Sequence, residues 1–208
     1  MMLEFRSDLL NLQMFDIIHK YDCMRISHRN TSHLVFCFIH KDRNSNRFRL
    51  ICDDRNLRPP LWSSLDLAKE QMEYGFQYCD ILKISDNEIQ FVSGKEDYDE
   101  GIRYLQEKYQ IPLILLTMGK DGSRAYYKGM RVERAGKSVK AIETTGAGDT
   151  FCGSSLNYIL EHDFENLTEE QLGEMLTFAN TAAALITTRK GAIRSMPEKE
   201  EVLEFLQK

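Results

Sequence analysis

Two hydrophobic periods alternate along this chain, and their alternation predicts an α/β protein. Compact apolar runs of strand length fall at residues 34–39, 48–52, 80–84 and 112–117, each bounded by polar or turn-forming residues. Helical spacing fills the gaps between the later runs. Leu65, Ala68, Met72 and Phe76 recur every three or four positions and predict a helix over about residues 64–78. Further helices are expected over about 86–92 and 98–108. Residues 123–127 and 131–142 read as antiparallel additions at one edge of the sheet. A long helix is expected over 168–188, opened by the pair Thr168 and Gln171 with capping-box spacing, and a short one over 197–206 with Pro197 near its first position. Strands and helices in this order imply a mostly parallel sheet with helices on its faces.

In open sheets of that kind ligands bind beyond the carboxyl ends of the strands. Asp54, Ser85, Thr117 and the turn at 146–149 all fall at such ends. The stretch Glu143-Thr144-Thr145-Gly146-Ala147-Gly148-Asp149-Thr150 carries the most chemistry, because it sets small residues before a carboxylate at the start of a helical segment. Backbone N–H groups there have no intrahelical partner, and small side chains let phosphate oxygens approach them. Asp149 could take a proton from an attacking hydroxyl while those donors stabilise the transferred phosphoryl group. The plainer alternative is a tight turn into a buried helix, with Asp149 complementing the helix dipole.

Composition narrows the partners. The chain has 208 residues and a net charge of −5, which suits one soluble domain and argues against general nucleic-acid binding. No apolar run reaches the length of a membrane span and no signal-peptide pattern opens the chain, so no membrane association and a cytoplasmic location are expected. Five cysteines without Cys-x-x-Cys spacing argue against a disulfide framework or structural zinc. The opening differs from the rest. Residues 1–49 contain no glycine, and the first fifty hold eight Lys/Arg against five Asp/Glu and four of the five histidines. That shift marks a boundary between an atypical segment, 1–49, and a core, 50–208.

The run from Thr144 to Phe151, followed by Cys152-Gly153-Ser154, resembles the C-terminal signature of the PfkB (ribokinase-like) family of carbohydrate kinases, in its fructokinase-like branch. Three further stretches agree in order. Asp54-Arg55-Asn56-Leu57-Arg58 is similar to the family's Asp-Pro-Asn-x-Arg segment, with Arg55 in place of proline; Ser85-Asp86-Asn87-Glu88 is similar to its Asn-x-x-Glu motif; and Thr117-Met118-Gly119-Lys120-Asp121-Gly122 is similar to the turn over which ATP lies. The resemblance covers residues 50–208. It implies a ribokinase-like three-layer α/β/α fold with a mostly parallel sheet, N-terminally incomplete and without a recognisable lid.

The same resemblance implies roles. Asp149 would be the catalytic base, with Gly146, Ala147 and Gly148 forming the anion hole. Ser85, Thr117, Gly119, Gly122 and Asn180 would contact the nucleotide, and Asn56 and Arg58 the sugar, although an exposed loop cation is an equal reading of Arg58. Glu88 would hold Mg²⁺ through water, while Ser85-x-x-Glu88 is also a capping box. A K⁺ site beside the anion hole would draw on Glu143, Thr145, Ile186, Arg189, Gly191 and Ser195, with Glu143 standing where aspartate is commoner. The implied activity is ATP-dependent phosphorylation of a sugar hydroxyl, on fructose or a related sugar, with ATP and Mg²⁺ and a homo-oligomer as a possible state. A nucleotide-binding remnant with weak or no turnover is the alternative. No Gly-x-x-x-x-Gly-Lys-Ser/Thr or Gly-x-Gly-x-x-Gly run occurs, so P-loop and dinucleotide readings fall away.

Overall fold

The structure is a computed structural model that describes residues 50–52, 62–77, 79–191 and 195–207. The strand expected at 34–39 lies outside the described residues. The described chain divides into two compact units, one running through Ala135 and the other from Gly136 onward.

The first unit is built on a five-stranded sheet in sequential order: β1 (Leu50–Cys52), β2 (Ile81–Ser85), β3 (Leu113–Thr117), β4 (Ser123–Tyr127) and β5 (Met130–Arg134). β1, β2 and β3 are parallel, with Ile81 opposite Leu113 and Ser85 opposite Thr117. β4 and β5 return antiparallel, so the sheet is mixed and its antiparallel pair forms one end. Helices α1 (Leu65–Phe76), α2 (Asp86–Ser93) and α3 (Tyr98–Tyr109) belong to the connections between the parallel strands.

Local chemistry starts and stops these helices. Ser64 Oγ accepts from Leu67 N–H at 3.1 Å, and Asp97 Oδ1 accepts from Glu100 N–H at 2.9 Å, each filling one of the donors a first helical turn leaves open. Gln110, in left-handed backbone with φ 57°, ends α3. Met72, Phe76, Ile89, Val92, Ile102 and Leu105 from the helices pack with Leu82, Ile84, Ile114 and Leu116 from β2 and β3 in one core cluster. Burying each such side chain contributes roughly 1.5–3 kcal/mol. The alternate strand positions Ile81, Leu113 and Leu115 are buried as well, which is why these strands read as continuous apolar runs. Gly101 lets α3 approach α2, since a Cβ there would stand 2.9 Å from Ile89 Cγ1.

The second unit is helical: α4 (Ala147–Glu161), α5 (Glu169–Thr187) and α6 (Lys199–Leu206). α5 begins with the expected capping box, Thr168 N–H donating to Gln171 Oε1 at 2.9 Å and Gln171 N–H to Thr168 Oγ1 at 3.2 Å. Ala182, Leu185 and Val202 form a small core with Phe178, Phe205 and Leu206 against it.

Two expectations need correction. The edge addition anticipated over 131–142 shortens to β5, because beyond Arg134 the chain offers no alternating apolar face; Lys137 and Lys140 punctuate it and Ile142 is 60% exposed. The short final helix starts at Lys199 rather than at 197, so Pro197 stands just ahead of it. Glu198 N–H donates to Glu201 Oε2 at 3.0 Å, which makes Glu198 the cap and leaves Pro197 outside the helix. No helix among the described residues is long and apolar enough to cross a membrane.

Candidate active site

The residues singled out from the sequence gather at two loci, one in each unit. In the first, β2 and β3 end side by side and bring Ser85 and Thr117 opposite one another in register. The chain then leaves Thr117 through a five-residue turn and re-enters the sheet at Ser123, which pairs back with Thr117. Met118 N–H donates to the Gly122 carbonyl at 2.8 Å and closes this turn. Gly119 has φ +55° and nothing within 4 Å of the place a Cβ would occupy, so the turn presents bare backbone. Gly122, at φ 105° and ψ −137°, occupies backbone that side chains rarely adopt.

At the end of β2 the strand becomes a helix without an intervening loop. Ser85 N–H donates to Glu88 Oε2 at 2.8 Å, and Glu88 N–H to Ser85 Oγ at 3.4 Å, so the capping box expected from the spacing is formed. Glu88 is only 1% exposed and spends one carboxylate oxygen on this cap.

The second locus is the start of α4. Gly146 is the cap, in left-handed backbone with φ 85°, and no side chain caps the helix. Ala147 N–H turns back to the Thr144 carbonyl at 3.3 Å, and Thr150 N–H closes the first helical turn on Gly146 at 2.9 Å. Between them stand the N–H of Gly148 and the half-buried Asp149, both in the first turn. An uncapped helix start with a carboxylate in it is a place where an anion can be held beside a proton acceptor.

The loop ahead of α4 is anchored to the end of α5. Ile142 and Glu143 N–H groups both donate to the Thr187 carbonyl, at 2.7 and 3.1 Å. Glu143 Oε2 accepts from Gly191 N–H at 3.0 Å. That backbone donor, then the Thr145 hydroxyl, hold the Glu143 carboxyl below the usual carboxylate range. Ser195 Oγ donates to the Lys190 carbonyl at 2.6 Å, and a Cβ on Gly191 would stand 3.2 Å from that oxygen. Glu143 and Thr145 thus belong to the loop ahead of α4, and Arg189, Gly191 and Ser195 to the segment after Ile186 and the end of α5, the two joined by the Glu143 to Gly191 bond. The Arg189 side chain turns to Glu201 of α6 at 2.7 Å. Asn180 is buried at 7% exposure within α5. Asn56 and Arg58 lie outside the described residues.

Sequence reasoning missed Thr187, whose carbonyl joins the two loops; a backbone acceptor leaves no side-chain signal. It also missed Asp99, which gathers three partners from the antiparallel edge at separations of 25, 27 and 32 residues.

The mixed sheet thus carries a glycine turn at the end of its parallel strands, and the helical unit carries a helix start with no side-chain cap and a carboxylate in its first turn. Residues 37–199 match the pfkB family of carbohydrate kinases, and the chain belongs to that family. It is 38% identical over 157 residues to a probable fructokinase-2 of Arabidopsis thaliana, covering 76% of this chain and 48% of that relative. It is 36% identical over 159 residues to a putative fructokinase-8 of the same plant, covering 76% of each. The fold is ribokinase-like: it superposes on a fructokinase from Vibrio cholerae O395, solved in a fructose, ADP and calcium ion bound form, with TM-score 0.67 and 31% identity over 76% of this chain and 50% of that one. The chain therefore spans about half the length of most of these relatives, and three quarters of one.

Proposed function

We propose that this chain transfers the terminal phosphoryl group of ATP to a sugar hydroxyl, acting as a fructokinase-like carbohydrate kinase. The observation that carries the proposal is the start of α4, where a positive-φ glycine cap leaves the helix without a side-chain cap and places Asp149 in its first turn. The Gly148 N–H, with its neighbours Gly146 and Ala147, meets the phosphate oxygens, and Asp149 accepts the proton of the attacking hydroxyl. In a loose phosphoryl-transfer transition state the nucleophile's proton leaves late, so positioning and charge stabilisation carry most of the rate. The turn through Gly119 and Gly122, with Thr117 and Ser85 beside it, supports the nucleotide, and the family resemblance gives Asn180 as a further nucleotide contact. Asn56 and Arg58 meet the sugar.

The residues fit metal assistance in a limited way. Glu88 has one oxygen committed to Ser85 N–H and is almost wholly buried, so it would help hold a Mg²⁺ ion through water. The ion would supply charge neutralisation on the phosphate oxygens. Glu143 has its Oε2 on Gly191 N–H, so a K⁺ ion there would be held by backbone carbonyls of residues 143, 145, 186, 189 and 191 and by Ser195. The test is ADP release from Mg-ATP across a panel of hexoses. Release that depends on fructose or a related sugar supports the reading; Mg-ATP binding with no sugar-dependent release under any of them removes it.

A further inference from the structure

Asp99 lies in the first turn of α3 and receives three side chains from the antiparallel edge of the sheet. Tyr126 donates its hydroxyl to Oδ1, Arg131 Nε lies 3.0 Å from the same oxygen and Arg124 Nη1 3.5 Å. Glu133 completes the group, pairing with Arg124 Nε at 3.0 Å and Arg131 Nη2 at 2.9 Å. Arg124 and Glu133 are direct cross-strand neighbours, as are Tyr126 and Arg131, so four of the five members stand on β4 and β5 and only Asp99 belongs to a helix. The carboxylate therefore ties the front of α3 to the hairpin. Its environment agrees: burial works to raise the Asp99 carboxyl, yet the Tyr126 and Arg131 hydrogen bonds and the two guanidinium charges hold it below the usual range, while burial and the Asp99 bond push Tyr126 up to about 12.

β4 leaves the glycine turn directly. Gly122 is followed by Ser123, and Arg124 comes next. The turn is held by the Met118 to Gly122, Asp121 to Met118 and Gly122 to Gly119 backbone bonds and by the buried Met118 side chain, but it joins the sheet only through its ends, where Thr117 pairs with Ser123 at the start of β4, and its glycines carry no side chains to pack. Resting on the reading of that turn as nucleotide support, we infer that Asp99 is a positioning residue for nucleotide binding, holding β4 so that the backbone of 118–122 keeps its shape before ATP arrives. A site preorganised in this way loses less conformational entropy on binding.

Two readouts on the full chain test this. Backbone hydrogen exchange reports the turn without ligand, and Mg-ATP calorimetry reports affinity. Asp99→Ala should speed exchange of the Met118 and Gly122 amides about tenfold and weaken Mg-ATP by a similar factor. Asp99→Asn, which keeps an oxygen to accept from Tyr126 and Arg131, should recover most of both. Two controls separate positioning from general loosening of α3. Glu100→Ala removes another first-turn carboxylate, and Lys108→Ala breaks the 3.2 Å pair with Glu73 at the far end of the helix; both should leave turn exchange and affinity within about twofold. Affinity in the parent chain with unchanged turn exchange in Asp99→Ala overturns the inference alone. Equal effects from the two controls overturn it as well, showing a role confined to stability. A parent chain with no Mg-ATP affinity overturns it together with the reading of the turn.

Discussion

α2 and α4 begin in opposite ways, and the contrast separates what the fold needs from what chemistry can use. α2 opens at Ser85 with a reciprocal box, in which Ser85 N–H takes a Glu88 oxygen and Glu88 N–H takes the Ser85 hydroxyl. α5 opens in the same closed manner at Thr168 and Gln171. α4 opens on Gly146, with no side-chain hydrogen bond capping its first turn. A closed start satisfies its own donors and gains stability for the fold. An open start lacks that side-chain cap, and at α4 the first turn carries a carboxylate, Asp149. Side-chain caps account for the first two; at the third, the left-handed backbone of Gly146, φ 85°, suits glycine and leaves the first turn without a side-chain cap.

Variants that erase the contrast should differ sharply in kind. The largest effect is expected at Asp149. Asp149→Asn should lower phosphoryl transfer by about a hundredfold or more, the usual scale for a lost acid–base group, while Mg-ATP binding persists in calorimetry. Near-normal turnover would remove Asp149 from the reaction. Gly146→Val comes next. Its φ of 85° forces a branched side chain into left-handed backbone at a cost of roughly 1–3 kcal/mol, so chemical denaturation should show that loss and nucleotide affinity should fall with it.

Closed starts should respond in stability alone. Thr168→Ala should cost about 1 kcal/mol in denaturation and leave turnover where it was. A loss of turnover in that variant at matched stability would mean that closed and open starts are not functionally distinct.

The smallest effect concerns acid. The Glu201 carboxyl is held below the usual range first by Arg189, then by Glu198 N–H. A folded pKa below the unfolded one makes the contribution present above about pH 4.5 and lost as the pH falls through the folded value. The pair is well exposed, so the loss should stay under about 1 kcal/mol. Comparing thermal unfolding of the parent and Glu201→Gln at pH 7 and pH 3.5 checks this: the two should converge in acid, and a gap that widens on acidification contradicts it.

Local signals were legible in the sequence; long-range partners and lone backbone acceptors were not. Ser85 with Glu88 and Thr168 with Gln171 announce their helix starts because the capping groups are themselves the signal. The strands at 80–84 and 112–117 announce themselves by burial on both faces. The glycine turn at 118–122 and the run at 146–149 were visible because small residues are scarce in regular elements. The join between the loop before α4 and the end of α5 was not legible, since Thr187 contributes only its carbonyl. Neither was Asp99, whose partners stand 25 to 32 residues away and look like ordinary surface charges in one dimension. The extent of β5 was misjudged because isolated Val139 and Ile142 mimic a strand pattern without a face to bury.

Backbone amide shifts during a Mg-ATP titration test the open start of α4 most directly. The account predicts large shifts at Ala147 and Gly148, with the amides of Gln171 and Leu172 at the closed start of α5 nearly unmoved. Saturable Mg-ATP binding that leaves Ala147 and Gly148 unmoved, or moves the two helix starts alike, would contradict it.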